Sequence, residues 1–291
     1  MARILTIIVS YNFEPWIHKC LPSLLDSSYP TDILVVDNNS GDNTTQIIKE
    51  KYPSVRLIES SENLGFGKAN NIGLDIVLKE KYDYAFLVNQ DAWLDRDCIA
   101  NLVKVNADNI GIISPIHYDG TETTLDYGFA VYTKNAIIEN SNRICTFVNA
   151  AFWFIPNLVI RKVGGFAPIF FHYGEDKDYA NRIKYYGLSI ILAEGAKAYH
   201  DRQQRKTDRK AFLKSEFVYH LTEYCNINYT FVKAFSMAIL ASLKKMASSF
   251  FKGHAFEAKS YLNIAFRLLG KTGAVYRTRV TNKKAFNKIY R

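Results

Sequence analysis

The sequence predicts an α/β fold built on a doubly wound sheet, followed by a basic helical region. Short apolar runs rich in isoleucine and valine, such as residues 3–10 and 33–37, alternate with stretches whose apolar residues have helical spacing. Polar residues follow these runs directly, at the strand ends where ligands collect in such sheets. The charge balance then changes: residues 1–201 carry 18 Lys/Arg and 24 Asp/Glu, whereas residues 202–291 carry 19 and 4.

The overall composition limits the classes of protein to which the chain can belong. Of its 291 residues, 48% are hydrophobic and 22% are charged, which suits a large core and excludes wholesale disorder. No run of about 18 apolar residues marks a spanning helix. The start, Met-Ala-Arg followed by Ile4–Val9, predicts a first strand and no secretion signal. The four cysteines form no CxxC pair, so we expect buried free thiols in a reducing, cytoplasmic compartment.

The first part of the chain predicts alternating strands and helices. Residues 3–10 and 33–37 are expected to be buried parallel strands, and a helix over Glu14–Ser27 completes a βαβ unit. A second helix is expected over Asn39–Tyr52, with Asp42 or Thr44 as its cap. The alternation continues with a strand, a helix and a strand, at Arg56–Glu59, Asn63–Lys79 and Tyr84–Asn89.

Beyond Asp91 the pattern becomes mixed. Three strands, with antiparallel pairing as one option, are expected at Ile110–His117, Gly128–Thr133 and Thr146–Ile155. A helix over Glu175–Tyr186, a strand over Ser189–Ala193 and mostly helix from about residue 208 follow. No repeat or linker interrupts the chain. The expected division into a catalytic domain, 1–201, and a C-terminal region, 202–291, therefore rests on charge and periodicity alone.

Several polar clusters stand where predicted strands end or predicted helices begin. Taken singly, each fits a structural role as a turn, a helix cap or a partner of a helix dipole. Each also fits chemistry, because glycines let backbone N–H groups approach a phosphate, a strand-end carboxylate suits a hard cation, and adjacent carboxylates can supply a general base. The clusters are Ser10–Asn12, Asp37–Ser40, Asn63–Gly67, Asn89–Asp91, the carboxylates Glu175, Asp176 and Asp178, and the lone His200.

The order of these clusters is more specific than any one of them. SYN, DNNS, ENLGFGKANN, a strand ending in NQD, GGFxxxFFxYxEDxDxxxRxxxxG and a lone histidine follow one another over about residues 3–201. In this order they resemble glycosyltransferase family 2. The resemblance implies inverting sugar transfer and a GT-A fold, with a Rossmann-like nucleotide-binding half and a mixed central sheet. Within the family, the chain is most similar to rhamnosyltransferase-like enzymes of bacterial O-antigen, capsule or cell-wall polysaccharide synthesis.

The resemblance implies donor-binding roles for residues at the strand ends. Asp37 is expected to accept a hydrogen bond from the imide N–H of a pyrimidine. Ser10, Tyr11 and Asn12 are expected to line the base and ribose pocket. The other implied donor-site residues border the base, the ribose or the diphosphate: Asn39, Ser40, Asn63, Gly65, Lys68, Asn89 and Gln90.

The resemblance also implies a metal site and a catalytic base. Asn89-Gln90-Asp91 occupies the position of the family's DxD motif, so Asp91 is expected to bind Mg²⁺ or Mn²⁺, with His200 completing the shell. Such a cation neutralises charge that develops on a diphosphate leaving group. Asp176 aligns with the base that takes the proton of the acceptor hydroxyl. On the acceptor side stand Glu175, Asp178 and Arg182, the last pairing with one of these carboxylates or with a phosphate.

Two residues depart from the family pattern. Asn89 replaces the leading carboxylate of the DxD motif, which predicts weaker cation affinity. Ala167 follows Gly164-Gly165-Phe166 where the family usually has an acidic or amide residue, so we expect altered loop capping or acceptor contacts. Nearby aromatic side chains suit either sugar stacking or the core. We place Trp93 on the acceptor side, and core packing is favoured for Phe152 and Phe154.

The C-terminal region has a basic amphipathic pattern. From Phe231 onward, large apolar residues recur every three or four positions and basic residues fill the gaps. This pattern is typical of helices at an anionic membrane face, and predicts a peripheral location on the inner face of a bacterial plasma membrane. Packing on the catalytic body, a homodimer interface and simple solubility remain open as alternatives. No nucleic-acid-binding signature accompanies the charge, so no nucleic acid partner is expected.

Together these features predict a metal-dependent inverting glycosyltransferase. It would move a sugar from a pyrimidine nucleotide sugar, dTDP-rhamnose or a UDP-hexose, to a hydroxyl of a lipid-linked or growing polysaccharide acceptor. One alternative is an inactive nucleotide-sugar- or membrane-binding scaffold of the same fold, which only Asn89 favours. A second alternative is a sugar nucleotidyltransferase, but that class needs a glycine- and arginine-rich phosphate loop where this chain has SYNFEPW.

Overall fold

A computed structural model describes residues 1–202 and 209–284 of the chain. Ten strands of these residues form one sheet, in the order β3-β2-β1-β4-β9-β6-β10-β8-β7, with β5 paired to β10. The strands are β1 Ile4–Ser10, β2 Asp32–Asp37, β3 Arg56–Glu59, β4 Tyr84–Asn89, β5 Ala92–Leu94, β6 Ile110–Asp119, β7 Ile137–Glu139, β8 Asn142–Cys145, β9 Phe152–Pro156 and β10 Ser189–His200.

Helices cover both faces of the sheet and form the C-terminal region. The helices are α1 Glu14–Leu25, α2 Thr44–Lys51, α3 Gly65–Lys79, α4 Cys98–Val103, α5 Tyr127–Thr133, α6 Asn157–Val163, α7 Glu175–Tyr185, α8 Arg209–Cys225, α9 Phe231–Phe235, α10 Ala241–Phe251, α11 Ala255–Gly270 and α12 Thr272–Lys283. A π-helical turn, Ser236–Leu240, joins α9 to α10.

The four strands β3-β2-β1-β4 are parallel; β2, β1 and β4 are mostly buried, whereas β3 at the edge of the sheet is partly exposed. Leu5 and Ile7 of β1 pack in the core on the side of α3, α6 and α7, whereas Ile4 and Ile8 pack on the side of α1, α2 and α4. Successive side chains of a strand point to opposite faces, so a strand covered by helices on both sides is apolar at every position. The predicted doubly wound half is confirmed.

The other half of the sheet is mixed. Strand β9 runs antiparallel to both β4 and β6, and β10 runs parallel to β6 and antiparallel to β8. The predicted strand Ser189–Ala193 continues to His200, past a register shift between Ala193 and Lys197. This extension matters because it brings His200 to the sheet edge beside β5.

Two predicted strands differ from the structure. The prediction of a strand at Gly128–Thr133 is wrong, because these residues belong to α5. Asp126 caps this helix by accepting a hydrogen bond from the backbone N–H of Phe129 at 2.7 Å, which outweighs the strand propensity of its aromatic residues. The strand predicted over Thr146–Ile155 begins only at Phe152. The preceding residues fold back as the indole N–H of Trp153 donates to the carbonyl of Val148.

Helices α8–α12 confirm the helical C-terminal region, apart from residues 203–208 and 285–291, which lie outside the described part. A third apolar cluster joins these helices to the catalytic body, and it includes Ala167 and Phe170 of the loop before α7. Ala167 is thus buried against these helices. The boundary at residue 201 stays a prediction.

The four cysteines are free and buried, as expected. No described helix combines the length and the apolar character needed to cross a bilayer.

Candidate active site

The carboxyl ends of β1, β2 and β4 lie side by side at one edge of the sheet. Ser10, the last residue of β1, is in register with Asp37, the last residue of β2. Val9 is in register with Asn89 at the end of β4. Parallel strands bring their carboxyl ends to a common edge. Polar clusters that are distant in the sequence therefore meet in one site.

Asp37 is the centre of a hydrogen-bond network at this edge, and only 2% of the residue is exposed. Its Oδ1 accepts from the hydroxyls of Ser10 at 2.7 Å and Ser40 at 2.5 Å. Its Oδ2 accepts from the backbone N–H of Ser40 at 2.9 Å. Each carboxylate oxygen can accept two hydrogen bonds. A carboxylate held in this way can accept a further donor at Oδ2, such as a ligand N–H.

Two asparagines shape the loops that surround Asp37. Asn12 and Asn39 have φ angles of 53° and 64°, a left-handed conformation that asparagine tolerates better than most residues. Asn12 donates its backbone N–H to the Ser40 hydroxyl, and its side-chain oxygen accepts from the backbone N–H of Gly41, both at 2.9 Å. The two loops thus fix each other on either side of Asp37.

Gln90 connects the β4 end to the loop after β1. Its side-chain Oε1 accepts from the backbone N–H of Tyr11 at 2.7 Å, and its Nε2 donates to the Tyr11 carbonyl at 3.1 Å. Both functions of the amide are therefore used within the protein. The ring of Tyr11 is half exposed at the rim. Gln90 thus holds Tyr11 in place, and Tyr11 presents the surface that a ligand can contact.

The glycine-containing turn before α3 is packed closely against the loop that precedes α7. Gly65 has a φ of 76°, and a Cβ at this position would lie 2.1 Å from the carbonyl oxygen of Phe171. Its backbone N–H already donates to Oδ1 of Asn63 at 2.9 Å. The glycine is thus required by backbone conformation and by close approach of the two loops. Lys68, one turn later, is exposed.

His200 lies beside Asn89 and Asp91 although it is more than a hundred residues from them in sequence. Nε2 of His200 lies 3.2 Å from Oδ1 of Asp91 and 3.4 Å from Nδ2 of Asn89. His200 is buried, and 16% of the Asp91 side chain is exposed. Among residues 1–202 and 209–284, no group of three or more His, Cys, Asp or Glu side chains could hold a metal ion. The side chains brought together here are one carboxylate and one imidazole, beside an amide.

Arg202, which the sequence analysis did not select, contacts the second ring nitrogen of His200. Its Nε lies 3.2 Å from Nδ1 of His200 and 3.0 Å from Oδ2 of Asp126. Arginine only donates, so Nδ1 must accept, and the proton of the neutral ring then lies on Nε2, toward Asp91. Gly128 leaves room for this arginine, because a Cβ there would lie 2.6 Å from Nη1 of Arg202. The spacing of Arg202 and His200 could have indicated this contact, because residues two apart in an extended segment lie on the same face.

Asp176 lies in the first turn of α7. Its Oδ1 accepts from the backbone N–H of Lys177 at 2.7 Å, and the carboxylate also accepts a hydrogen bond from the backbone at Ala150. The next residue, Ala151, accepts a backbone hydrogen bond from Asn89 at 3.0 Å. One backbone segment therefore joins Asp176 to the Asn89–Asp91 turn. Burial raises the pKa of Asp176, which strengthens it as a proton acceptor.

Glu175, the neighbouring carboxylate, is 5% exposed. Its Oε2 is buried without a hydrogen-bond partner among the described residues. Burial, with a smaller contribution from the charge of Asp176, raises the pKa of Glu175 to about 7. Ionisation of Glu175 therefore disfavours ionisation of Asp176 and the reverse, because neither carboxylate is well solvated.

Asp178 and Arg182 form an ion pair on the inner face of α7. Arg182 Nε lies 3.0 Å from Asp178 Oδ2, and both side chains are 1% exposed. Arg182 also donates to the carbonyl of Val163 at 2.8 Å, and Asn282 of α12 donates to Asp178 at 3.4 Å. The pairing of Arg182 with a carboxylate is confirmed. Both residues can act on an acceptor only through the orientation of α7.

The aromatic residues near these motifs are mostly in the core. Phe152 and Phe154 are fully buried, as expected. Trp93 is 6% exposed, its indole N–H donates to Glu122 at 2.8 Å, and Lys19 Nζ lies 4.4 Å from its ring centroid. Stacking of a sugar on Trp93 therefore requires displacement of Lys19 and stays a prediction.

Comparisons with known proteins agree with this geometry. The family model of glycosyl transferase family 2 matches residues 6–156, more than half of the chain. An N-acetylglucosaminyl-diphospho-decaprenol L-rhamnosyltransferase of Mycobacterium tuberculosis is 38% identical over 73 residues, 24% of this chain and 24% of the relative. A teichoic acid poly(glycerol phosphate) polymerase of Staphylococcus epidermidis is 33% identical over 122 residues, 40% of this chain and 16% of the relative. The matches thus span a quarter or less of these relatives' lengths.

A solved structure supports the fold. S. aureus TarS 1–349, crystallised in complex with UDP-GlcNAc, has a TM-score of 0.58 to this chain at 13% identity. The likeness covers 99% of this chain and 93% of TarS 1–349. Together with the mixed sheet and its polar edge, this defines a GT-A protein with a helical C-terminal region. The chain belongs to glycosyltransferase family 2.

Proposed function

We propose that the chain is an inverting, metal-dependent glycosyltransferase that moves a sugar from a pyrimidine nucleotide sugar to a hydroxyl of a lipid-linked or growing polysaccharide. The observation that carries this proposal is the meeting of Asp91 and His200, 3.2 Å apart, beside Asn89. These residues lie at the sheet edge that also presents Asp37. One backbone segment away stands a partly buried carboxylate, Asp176, with a raised pKa.

The Asp37 network suits recognition of a pyrimidine base. Both uracil and thymine present an imide N–H flanked by carbonyls, and Asp37 can accept that N–H at Oδ2. The half-exposed Tyr11 directly follows Ser10, which donates to Asp37. Since uracil and thymine differ by one methyl group, worth about 1–3 kcal/mol to a pocket, dTDP-rhamnose and a UDP-hexose are both admitted.

The side chains at the β4 end suit a divalent cation. A carboxylate oxygen and an imidazole nitrogen are acceptable ligands for Mn²⁺, and Mg²⁺ prefers oxygen. In the structure, Asp91 Oδ1 and His200 Nε2 are already adjacent, 3.2 Å apart. Asp91 and His200 would hold the ion, with the Asn89 amide as a further oxygen. When bound, the cation neutralises charge on the diphosphate.

Asp176 is proposed as the general base. The acceptor oxygen attacks the anomeric carbon, the bond from that carbon to the diphosphate oxygen breaks, and Asp176 takes the acceptor proton. A single in-line displacement inverts the anomeric centre and needs no enzyme nucleophile. Base catalysis of this kind contributes about 10²–10⁴-fold in rate. Glu175, Asp178 and Arg182 support the same end of α7.

The acceptor is proposed from charge and from relatives. The basic C-terminal region suits an anionic, membrane-bound substrate, and the relatives' names include a decaprenol-linked sugar acceptor and a teichoic acid. We therefore place the enzyme on the inner face of the bacterial plasma membrane, acting on a lipid-linked glycan in polysaccharide or cell-wall synthesis.

Thermal unfolding with UDP, dTDP and GDP, each with and without Mn²⁺, tests the donor site. A ligand at 100 times its Kd stabilises by about 2.7 kcal/mol. We expect a metal-dependent shift with UDP or dTDP and none with GDP. Asp37→Ala should lose the shift relative to its own baseline. Asp32→Ala, at the opposite end of the same strand, should keep it.

Equal shifts with GDP, or none with any nucleotide, would overturn the pyrimidine donor. A nucleotide shift that is the same without Mn²⁺ would overturn the metal site. Asp91→Ala should remove the metal dependence, because it deletes the one carboxylate among the proposed ligands.

A further inference from the structure

The hairpin formed by α10 and α11 ends in large apolar side chains that face solvent. Phe250 and Phe251 at the end of α10 are 67% and 86% exposed, and their rings pack edge to face with centroids 5.8 Å apart. Phe256 in the first turn of α11 is 50% exposed. We call residues 250–256 the hairpin tip. Contiguous exposed apolar surface on a folded protein marks a surface that binds something.

The hairpin tip is a folded end, not an incomplete core. The backbone N–H groups of Gly253 and His254 donate to the carbonyls of Phe250 and Ser249, at 3.0 and 2.9 Å. Further along the hairpin, the buried hydroxyl of Ser242 donates to the carbonyl of Tyr261 at 2.9 Å. The turn thus satisfies its own backbone while the rest of the hairpin is fixed to the third apolar cluster.

A second set of exposed apolar residues forms a stripe along α11. Leu262, Phe266 and Leu269 recur at intervals of four and three residues and are all exposed. The residues that bury α11 against the protein, Tyr261 and Leu268 among them, lie on the opposite side. This helix therefore has one apolar face in the core and a second apolar face in solvent.

Basic residues far outnumber acidic residues in the helices that carry this apolar surface. Residues 231–284 contain 11 Lys/Arg, and Glu257 is their single acidic residue. Glu257 is already paired with Arg209. Lys252 within the tip, and Lys244 and Lys259 on the two helices, are exposed. Any partner of this surface must therefore combine hydrocarbon with negative charge.

We infer that the hairpin tip inserts into an anionic lipid bilayer, with the phenyl rings among the acyl chains and the lysines at the headgroups. Two copies of this surface would bring like charges together, which disfavours a dimer through this face. A nucleic acid would satisfy the charges but would leave Phe250 and Phe251 without an apolar environment. A bilayer supplies both components. This inference names the surface that would bring the enzyme to its proposed membrane-bound acceptor, and in that respect it rests on the proposed function.

Co-sedimentation of the full chain with lipid vesicles tests this inference without nucleotide or acceptor. The vesicles contain phosphatidylcholine alone or with about 30% phosphatidylglycerol. We expect binding to the anionic vesicles. The double variant Phe250→Ser/Phe251→Ser should bind them at least about tenfold more weakly, because two aromatic side chains no longer enter the bilayer. Its thermal unfolding should be unchanged, since both side chains are exposed.

The matched control is Tyr127→Ser/Ile138→Ser, which removes two side chains of the catalytic body that are 84% and 81% exposed. This control should bind the vesicles like the unmodified chain. Equal binding by the Phe250/Phe251 variant would overturn the insertion of the tip. So would a concentration-dependent dimer, measured by analytical ultracentrifugation, that the same substitutions abolish, because it would assign the surface to a second copy.

Phe251→Trp supplies a second readout. Its fluorescence should shift to the blue with anionic vesicles and be quenched by brominated acyl chains, whereas Tyr127→Trp should show neither change. A tip tryptophan that stays in water would contradict the inference. Because these measurements need no donor, membrane binding and sugar transfer can fail separately.

Discussion

The proposed nucleobase-binding side of the candidate active site, around Asp37, and the proposed reaction side, around Glu175 and Asp176, differ in how their polar groups are satisfied. On the base side, Asp37 accepts hydrogen bonds from Ser10 and Ser40, and the surrounding loops bond to each other. On the reaction side, Glu175 has a buried oxygen without a partner among the described residues, and burial raises the pKa values of both Glu175 and Asp176. The polar groups around Asp37 are hydrogen-bonded without a ligand, whereas the burial of Glu175 is not fully offset by hydrogen bonds.

This difference separates recognition from chemistry. The hydrogen-bond network around Asp37 is already formed in the free protein. A preformed network of this kind can bind a nucleobase with little loss of conformational entropy. Buried carboxylates with raised pKa values are poised to exchange protons, and such groups concentrate at functional sites. Substitutions on the two sides should therefore change different quantities.

The largest effect is expected from Asp176→Asn. Loss of the general base should lower kcat by about 10²–10⁴-fold. The affinity for UDP or dTDP, measured by calorimetry, should stay within about twofold, because the hydrogen-bond network around Asp37 is unchanged. Asp75→Asn, on the surface of α3, serves as the control and should keep full activity. Full turnover by Asp176→Asn would assign the base to another group.

A smaller effect is expected from Glu175 on the pH dependence of the free energy of unfolding. Because burial raises the pKa of Glu175 from 4.5 to about 7, the folded state holds a proton that the unfolded state releases across this window. Stability from Glu175 is complete below 4.5 and is lost as the pH rises through 7. The loss amounts to at most ~3 kcal/mol. Urea unfolding between about pH 5 and pH 8 should show this decline.

Glu175→Gln should flatten that decline, because a neutral amide has no proton to lose. The exposed Glu62, replaced by Gln, should leave the profile unchanged. A pH profile of Glu175→Gln that matches the unmodified chain would show that Glu175 is not the group responsible.

The smallest effect is expected from Arg202→Ala. Arg202 donates to Nδ1 of His200, so in the neutral ring the proton lies on Nε2, and the proposed cation would bind Nε2 only after Arg202 releases Nδ1. Removal of this donor and its charge should tighten Mn²⁺ binding by about threefold to tenfold without nucleotide. Calorimetric titration measures this, with Lys197→Ala on the same strand as the control. Weaker Mn²⁺ binding would mean that Arg202 orients His200 for the metal.

The parallel half of the fold and its polar edge were predictable from sequence. Ser10, Asp37 and Asn89 each follow an apolar run of strand length, and parallel strands must bring such ends together. The approach of His200 to Asp91 came only from family resemblance. It depends on the extension of β10 past a register shift, which the interrupted apolar pattern after Ala193 conceals.

Arg202 and α5 show what local patterns miss. The aromatic residues of Tyr127–Thr133 favour a strand, and the deciding group is the cap supplied by Asp126. The same carboxylate also pairs with Arg202, 76 positions away in sequence. A contact of this range leaves no periodic signal, so a residue that restrains His200 was not selected.

Helix α7 belongs to both parts of the protein, and this limits how the parts can be recombined. Its Asp178 accepts from Asn282, the carbonyl of Asn181 accepts from Asn228, and Tyr186 just after it donates to the carbonyl of Asn282. A chimaera that joins residues 1–202 of this chain to the C-terminal helices of a relative would lose these hydrogen bonds wherever the relative lacks Asn228 or Asn282. An exchange of the C-terminal helices therefore has to include α7 as part of the same segment.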